Sequence, residues 1–390
     1  MELGTRREPK PKSQQLHFIP LFYFLFSIFF FAVGCGAPGE PTPPSPPIPT
    51  PVSDLAARQS GDGAQLTFTL PVRTVAGERL AEPPAVEIFR GSLKPDGKPD
   101  NKSFHLVYTL PGALLDTYIN EKRIQFKDPI APDETRAHPG ATLAYRVRTR
   151  AAKKRASADS NTVSVRVFPV PERIVSLDAR ITESAIELSW PAPKLTSGGA
   201  PLDRLTGYRV FRGELDPSSS EAAAHDISQA KWKSQLILLA PAPENSYHDT
   251  LFEFGKTYLY IVRSVAVADD GPVESDDSVP AVVSARDTFP PAAPQNAVAA
   301  VTTPPGGSPV VDLSWGINLE NDLAGYRIYR SDRQDARGQL LATDLLLAPV
   351  YRDMSVQSGH RYWYTVTAVD RAGNESAPSA VQADLTQLLP

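Results

Sequence analysis

Cys35 is the only cysteine among 390 residues, and a thiolate is the strongest nucleophile this chain can offer. Small or slim residues precede it (Ala32, Val33, Gly34) and Gly36 follows, so an enzyme has clear access to the backbone there. One cysteine excludes an internal disulfide and any zinc site built from several thiolates. The six histidines (His17, His105, His138, His225, His248, His360) share no metal-ligand spacing. Gly-x-Ser-x-Gly, His-Glu-x-x-His and a phosphate-binding loop are all missing from the sequence. The chain therefore reads as noncatalytic, with no cofactor and no bound metal expected.

The elements around Cys35 define its chemistry. Arg6, Arg7, Lys10 and Lys12 outweigh Glu2 and Glu8 in the first 15 residues. Leu21 to Val33 is then an uncharged, mostly aromatic and aliphatic run. It falls short of the ~20 residues of a spanning helix and suits a signal-peptide core. Extending the run back to Leu16 leaves an uncleaved span open. The stretch Ala32-Val33-Gly34-Cys35 resembles a bacterial lipobox, although that family usually has Leu where Ala32 stands. The resemblance implies cleavage before Cys35 and acylation of its sulfur. Each buried methylene adds ~0.8 kcal/mol, so two or more chains make a stable anchor. Cleavage removes four basic and two acidic residues, taking the formal charge from −4 to −6. Neither value draws the protein to nucleic acid.

Next comes a stalk. Between Pro38 and Pro51, eight of fourteen residues are proline. Such a segment lacks backbone donors and extends as polyproline II, reaching about 43 Å at ~3.1 Å per residue. It is expected to work as a semi-rigid spacer.

The rest of the chain is a threefold repeat. An alternating strand recurs as Leu66-Thr-Phe-Thr-Leu70, Ile186-Glu-Leu-Ser-Trp190 and Val311-Asp-Leu-Ser-Trp315. A second recurs as Val86-Glu-Ile-Phe-Arg90, Tyr208-Arg-Val-Phe-Arg212 and Tyr326-Arg-Ile-Tyr-Arg330. A third begins at Gly140, Gly255 and Gly359. Period-two alternation marks strands with one buried face, so the chain is expected to be all-β. One short helix is expected within Ser220–Lys233.

These residues resemble the fibronectin type III family, an immunoglobulin-like β-sandwich. Trp190 and Trp315 match its strand B tryptophan, and Tyr208 and Tyr326 open its strand C. Tyr258 and Tyr362 match the tyrosine at the start of strand F, whose hydroxyl bonds back to the backbone. The first repeat departs, with Leu70 and Leu143 in the tryptophan and tyrosine positions. The expected organisation is a lipoprotein signal peptide (1–34), a lipidated cysteine and stalk (35–51), a divergent sandwich (52–169) and two further sandwiches (172–287, 294–387). Without disulfides, such domains depend on packing. A buried Trp or Tyr removes 150–250 Å² from water, worth about 4–6 kcal/mol gross at ~25 cal/mol/Å².

Three surface features remain for binding. Alternation turns Arg146, Arg148 and Arg150 outward, and Lys153, Lys154, Arg155 and Arg166 extend the row. That row could hold an anionic polymer or be a solvated strand face. Tyr329 and Trp363 are expected outward on neighbouring strands, where aromatic rings suit sugars or a protein partner. In the second repeat Phe211, Leu259 and Ile261 point the same way, and the insert carrying Trp232 is placed to cover them. The acidic stretch Asp269 to Asp277 lacks the ligand order of an EF-hand and reads as a solvated hairpin.

Together these readings describe a bacterial cell-envelope lipoprotein, lipid-anchored and leaning toward the outer membrane. It is expected to be a monomer and to act as a binding or spacer module through protein–protein contacts. Carbohydrate binding for a polysaccharide system, and tethering of an enzyme or secretion machine, are the alternatives.

Overall fold

The computed structural model describes residues 47–388, so Cys35 and most of the stalk lie outside the described residues. Among those residues the protein is nearly all β, arranged as three two-sheet sandwiches, each with its own core. No helix of the described residues is long and apolar enough to cross a membrane.

The three sandwiches share one strand order. In the first sheet of each, a central strand (Gly63–Phe68, Ile186–Ser189, Val310–Ser314) lies between an earlier and a later antiparallel neighbour. Leu66 faces Ala57 and Phe126, Leu188 faces Ala179 and Tyr247, and Leu313 faces Ala299 and Tyr351. In the second sheet the strands Ala85–Gly91, Leu205–Leu215 and Leu323–Ser331 pair with Ala141–Ala152, Thr257–Ala268 and Arg361–Asp370. Ile88 meets Val147, Val210 meets Val262, and Ile328 meets Val366, all fully buried. The divergent first repeat thus has the architecture of the other two.

The aromatic positions behave as their spacing implies. Trp190 packs edge-on against Tyr208 at 5.2 Å, and Trp315 against Tyr326 at 5.3 Å. The Tyr258 hydroxyl accepts from Glu253 N at 3.0 Å, and that of Tyr362 from Gln357 N at 3.2 Å. Both bonds reach back five residues and fix the turn into the longest strand of each domain. Leu70 and Leu143 fill these positions in the first sandwich, where they pack half-buried against the core.

One boundary differs from expectation. The α-helix of the second-domain insert covers only Ser220–His225, because Trp232 already begins a strand. Asp216 and Asp226 instead cap single 3-10 turns by accepting from Ser218 N and Ser228 N. The last strand is Ser379–Asp384; the Asp384 carboxylate accepts from Thr386 N and Oγ1, and the chain turns there.

Between the first two sandwiches the linker is part of the packing: Phe168 and Val170 are buried, and Pro171 bridges to Thr196. Charged contacts cross this junction. Lys127 pairs with Asp276 and Arg166 with Asp270. Ser197 Oγ donates to Asp62 at 2.5 Å, and Arg136 donates to the Gly198 carbonyl at 2.6 Å. The acidic hairpin is therefore engaged by cations: Asp270 and Asp276 face the first domain, while Glu274 and Asp277 take Arg209 and Arg263 within their own.

Candidate binding faces on the outer sheets

A buried Asp–Tyr–Arg group recurs in every sandwich. Asp128, Asp249 and Asp353 are each at most 2% exposed. Each accepts the hydroxyl proton of a buried tyrosine: Tyr145 at 2.8 Å, Tyr260 at 2.7 Å and Tyr364 at 2.8 Å. Each also holds an arginine, namely Arg90 at 3.3 Å, Arg212 at 2.7 Å and Arg330 at 2.7 Å. Burial, together with the adjacent carboxylate, keeps all three tyrosines protonated far above the ordinary phenol range. A carboxylate held by two donors in this way is a structural pin between the sheets, not a base facing a substrate. The sequence reading missed these acids. Their signal is an aromatic-x-Asp motif in all three repeats: Phe126-Lys-Asp128, Tyr247-His-Asp249 and Tyr351-Arg-Asp353.

The outer faces of the second sheets differ among the three sandwiches. On the first, Tyr145, Val147 and Thr149 point inward and Arg146, Arg148 and Arg150 outward, as alternation requires. The arginines are not a free row. Asp159 takes both Arg146 (3.1 Å) and Arg148 (2.6 Å), and Glu87 grips Arg150 with both oxygens. The Arg146 guanidinium also lies 3.8 Å above the Phe104 ring. Arg166 is spent on Asp270 of the next domain. Lys153, Lys154 and Arg155 are exposed at the hairpin tip.

On the second face, Leu259 and Ile261 are buried in a separate small core. The insert between Asp216 and Lys231 lies over them, with Ala223, Ile227 and Trp232 packed in. Gly213 makes this possible: a Cβ there would lie 2.3 Å from the Trp232 ring, so only glycine lets the indole rest on the strand.

The third face corrects the expectation for Tyr329. It does point outward from the sandwich core, yet it is only 9% exposed. The Arg337 guanidinium lies 4.1 Å above its ring, and its hydroxyl donates to Glu375 at 3.0 Å. Glu375 also receives Arg327, Arg337 and the Thr367 hydroxyl. Burial raises the Glu375 pKa, but these hydrogen bonds outweigh it and hold the carboxyl below its usual range. Trp363 is half-buried on the same face, two residues before Thr365 on the same strand. Tyr329 and Trp363 therefore share a face but do not make an exposed aromatic pair. Beside them is a cavity of about 390 Å³, bounded by the Gln334–Arg337 loop, Thr365, Thr367, Glu375, Pro378 and Ala380.

Elsewhere, the carboxylates of Asp287, Asp322 and Asp370 gather within 4.8 Å of one another. The buried Asp370 accepts from Asn374 N and Nδ2, each at 2.8 Å.

No family model matches the chain. Exoglucanase B of Cellulomonas fimi is 25% identical over 285 residues, covering 70% of this chain and 23% of that protein. The amylopullulanase of Thermoanaerobacterium thermosulfurigenes is 38% identical over 95 residues, 24% of this chain and 5% of the enzyme. That of Thermoanaerobacterium saccharolyticum is 34% identical over 94 residues, 24% and 7% respectively. The chain thus spans less than a quarter of each relative's length. Among solved structures, the FN1–FN3 domains of chicken CNTN1 align with 86% of this chain and 98% of that one, at 13% identity and TM-score 0.24. A two-domain fibronectin type III segment of chicken tenascin aligns with 55% and 99%, at 16% identity and TM-score 0.33.

Proposed function

We propose that the protein is a noncatalytic, lipid-anchored module of the bacterial cell envelope that carries a binding face on a string of three sandwiches. The observation behind this reading is the repeated Asp–Tyr–Arg group. It is the most heavily buried charged constellation of each domain, and in all three its partners serve to join the sheets. Cys35 and the proline stalk supply the tether, on the side of the chain that precedes the first sandwich. Attachment to the outer membrane and a monomeric state complete the proposal.

The test is mass spectrometry of the N-terminal peptide from native membranes, with fractionation of a Cys35→Ser variant. An acylated residue 35 at the new terminus and release of the variant into the soluble fraction support the tether. Retention of residues 1–34, or a bare thiol, removes it. Protease shaving of intact cells then reports which side of the membrane the sandwiches occupy.

A second reading is service to a polysaccharide system, either through direct sugar contact or by holding an enzyme nearby. The names of the relatives, an exoglucanase and two amylopullulanases, favour it.

A further inference from the structure

One hairpin recurs where each of the first two sandwiches meets the chain that precedes it. In the second, Thr196 N donates to the Ala200 carbonyl, Gly199 N to that of Thr196, and Ser197 N to that of Val170 in the linker at 2.9 Å. In the first, Thr74 N donates to the Glu78 carbonyl, Gly77 N to that of Thr74, and Val75 N to that of Ile48 at 2.9 Å. Pro49 bridges to Thr74 as Pro171 does to Thr196. These bonds align the two hairpins residue by residue, so Val75 stands where Ser197 does and Val72 where Lys194 does.

The second hairpin is a docking contact: Ser197 and Gly198 bond to Asp62 and Arg136 of the first sandwich. In the first hairpin the equivalent place is apolar, with Val72 and Val75 each 62% exposed.

Strand register brings a basic tip to the same end. Ala85 pairs with Arg150, so the strand that follows this hairpin begins beside the turn Lys153–Lys154 and Arg155. The junction with the second sandwich, around Gly61 and Phe168, lies at the opposite end of the same strands. Lys153, Lys154 and Arg155 are exposed, and the nearby acids Glu87 and Asp159 are taken by Arg150, Arg146 and Arg148. The hairpin itself is neutral, because Glu78 and Glu82 offset Arg73 and Arg79. The Gly112–Lys122 connection at this pole carries Asp116 and Glu121 against Lys122. The tip therefore leaves this pole net positive on a chain whose formal charge is −4.

We propose that this pole docks on an anionic phospholipid surface, with Val72 and Val75 in the headgroup layer and Lys153, Lys154 and Arg155 on lipid phosphates. The proposal rests on the tether reading, which puts a bilayer at Cys35. That residue is thirteen positions before Ile48, within about 45 Å at full extension. Apolar side chains beside cations bind a membrane interface through burial and through attraction to anionic lipid. Screening at physiological salt leaves such a contact too weak to retain a chain without acyl groups, so it orients the first sandwich while the tether holds it.

The test is co-sedimentation of residues 35–390 carrying Cys35→Ser, so that no acyl group contributes. The vesicles are equal parts phosphatidylglycerol and phosphatidylcholine, or phosphatidylcholine alone, at low salt. This parent chain should sediment with the mixed vesicles and stay in solution with the neutral ones. Lys153→Glu with Lys154→Glu should weaken binding roughly tenfold or more. Lys94→Glu with Lys102→Glu makes the same charge change on exposed positions at the far end and should leave binding unaltered. Val72→Ser with Val75→Ser should weaken it severalfold. Equal loss in the two charge-reversed chains reduces binding to net charge and overturns the pole. Equal binding to both vesicles, or serine variants that bind like the parent, overturns it as well. A parent chain that ignores both vesicles overturns the docking and hands the valines to a protein partner, while acylation of Cys35, read by mass spectrometry, stands or falls separately.

Discussion

The Tyr145 hydroxyl donates to Asp128 across 2.8 Å, with both side chains out of water and Arg90 on the same carboxylate oxygen. Removing the acid strands a buried hydroxyl and a guanidinium, whereas removing the hydroxyl leaves the ion pair intact. Asp128→Ala is expected to cost about 3–5 kcal/mol and Tyr145→Phe about 1–3 kcal/mol. Calorimetry of the full chain should show either loss on the first sandwich's transition alone. Tyr145→Phe proving the more damaging would contradict this arrangement.

Acid should act through the equivalent group in the third sandwich. Burial raises the Asp353 pKa, but hydrogen bonds from Ser355, Tyr364 and Arg330 outweigh it and hold the carboxyl below its ordinary value. The folded state therefore binds this proton less readily than the unfolded one. Its stabilisation is complete above the ordinary value of ~3.9 and drains away as pH falls through the folded value. Surface Asp384, held at about 2 by Thr386 and Arg361, titrates in the same direction. The third transition should fall steeply below about pH 4, and less steeply in Asp353→Asn. An unchanged slope in that variant would assign the acid sensitivity to other carboxylates.

At the first junction, Lys127 faces Asp276 across the domain boundary. Asp276→Lys sets two cations against each other and should open the linker around Val170 to limited proteolysis. The double exchange Lys127→Asp with Asp276→Lys restores opposite charges and should restore protection. Cleavage that stays the same in all three chains would mean the junction is held by linker burial alone.

Gly213 controls the cover on the second sandwich. Gly213→Val has no room beneath Trp232 and should lift the insert from Leu259 and Ile261. Binding of a hydrophobic dye should rise, while the sandwich, whose own core lies on the other side of the sheet, still melts cooperatively. Dye binding equal to wild type would show that the indole can relocate without opening the cover.

Much of the fold is legible because a half-buried strand writes its inner face into every second residue. Leu66, Leu188 and Leu313, and the Trp190–Tyr208 and Trp315–Tyr326 pairs, follow from that pattern and the repeat. The buried acids do not. Alternation treats a polar residue as solvent-facing, and the partners of Asp249 lie 37 and 11 residues away in opposite directions. Tyr329 shows the other limit. Its strand position gives the direction of the ring, but the shielding comes from Arg337 and Glu375, and the latter is 46 residues further along. The same holds for Arg146 and Arg148, whose partner Asp159 sits on a loop with no periodicity to read.

The insert between Asp216 and Lys231 leaves the chain with an uneven display. Three identical copies of one scaffold would give three equivalent landing places and hence avidity along a polymer. Here the middle copy wears a permanent lid and the first has neutralised much of its own charge. A partner reading the outer faces of these sheets would then meet three unlike surfaces, and its attachment would be governed by individual affinities instead of by cooperation among identical neighbours.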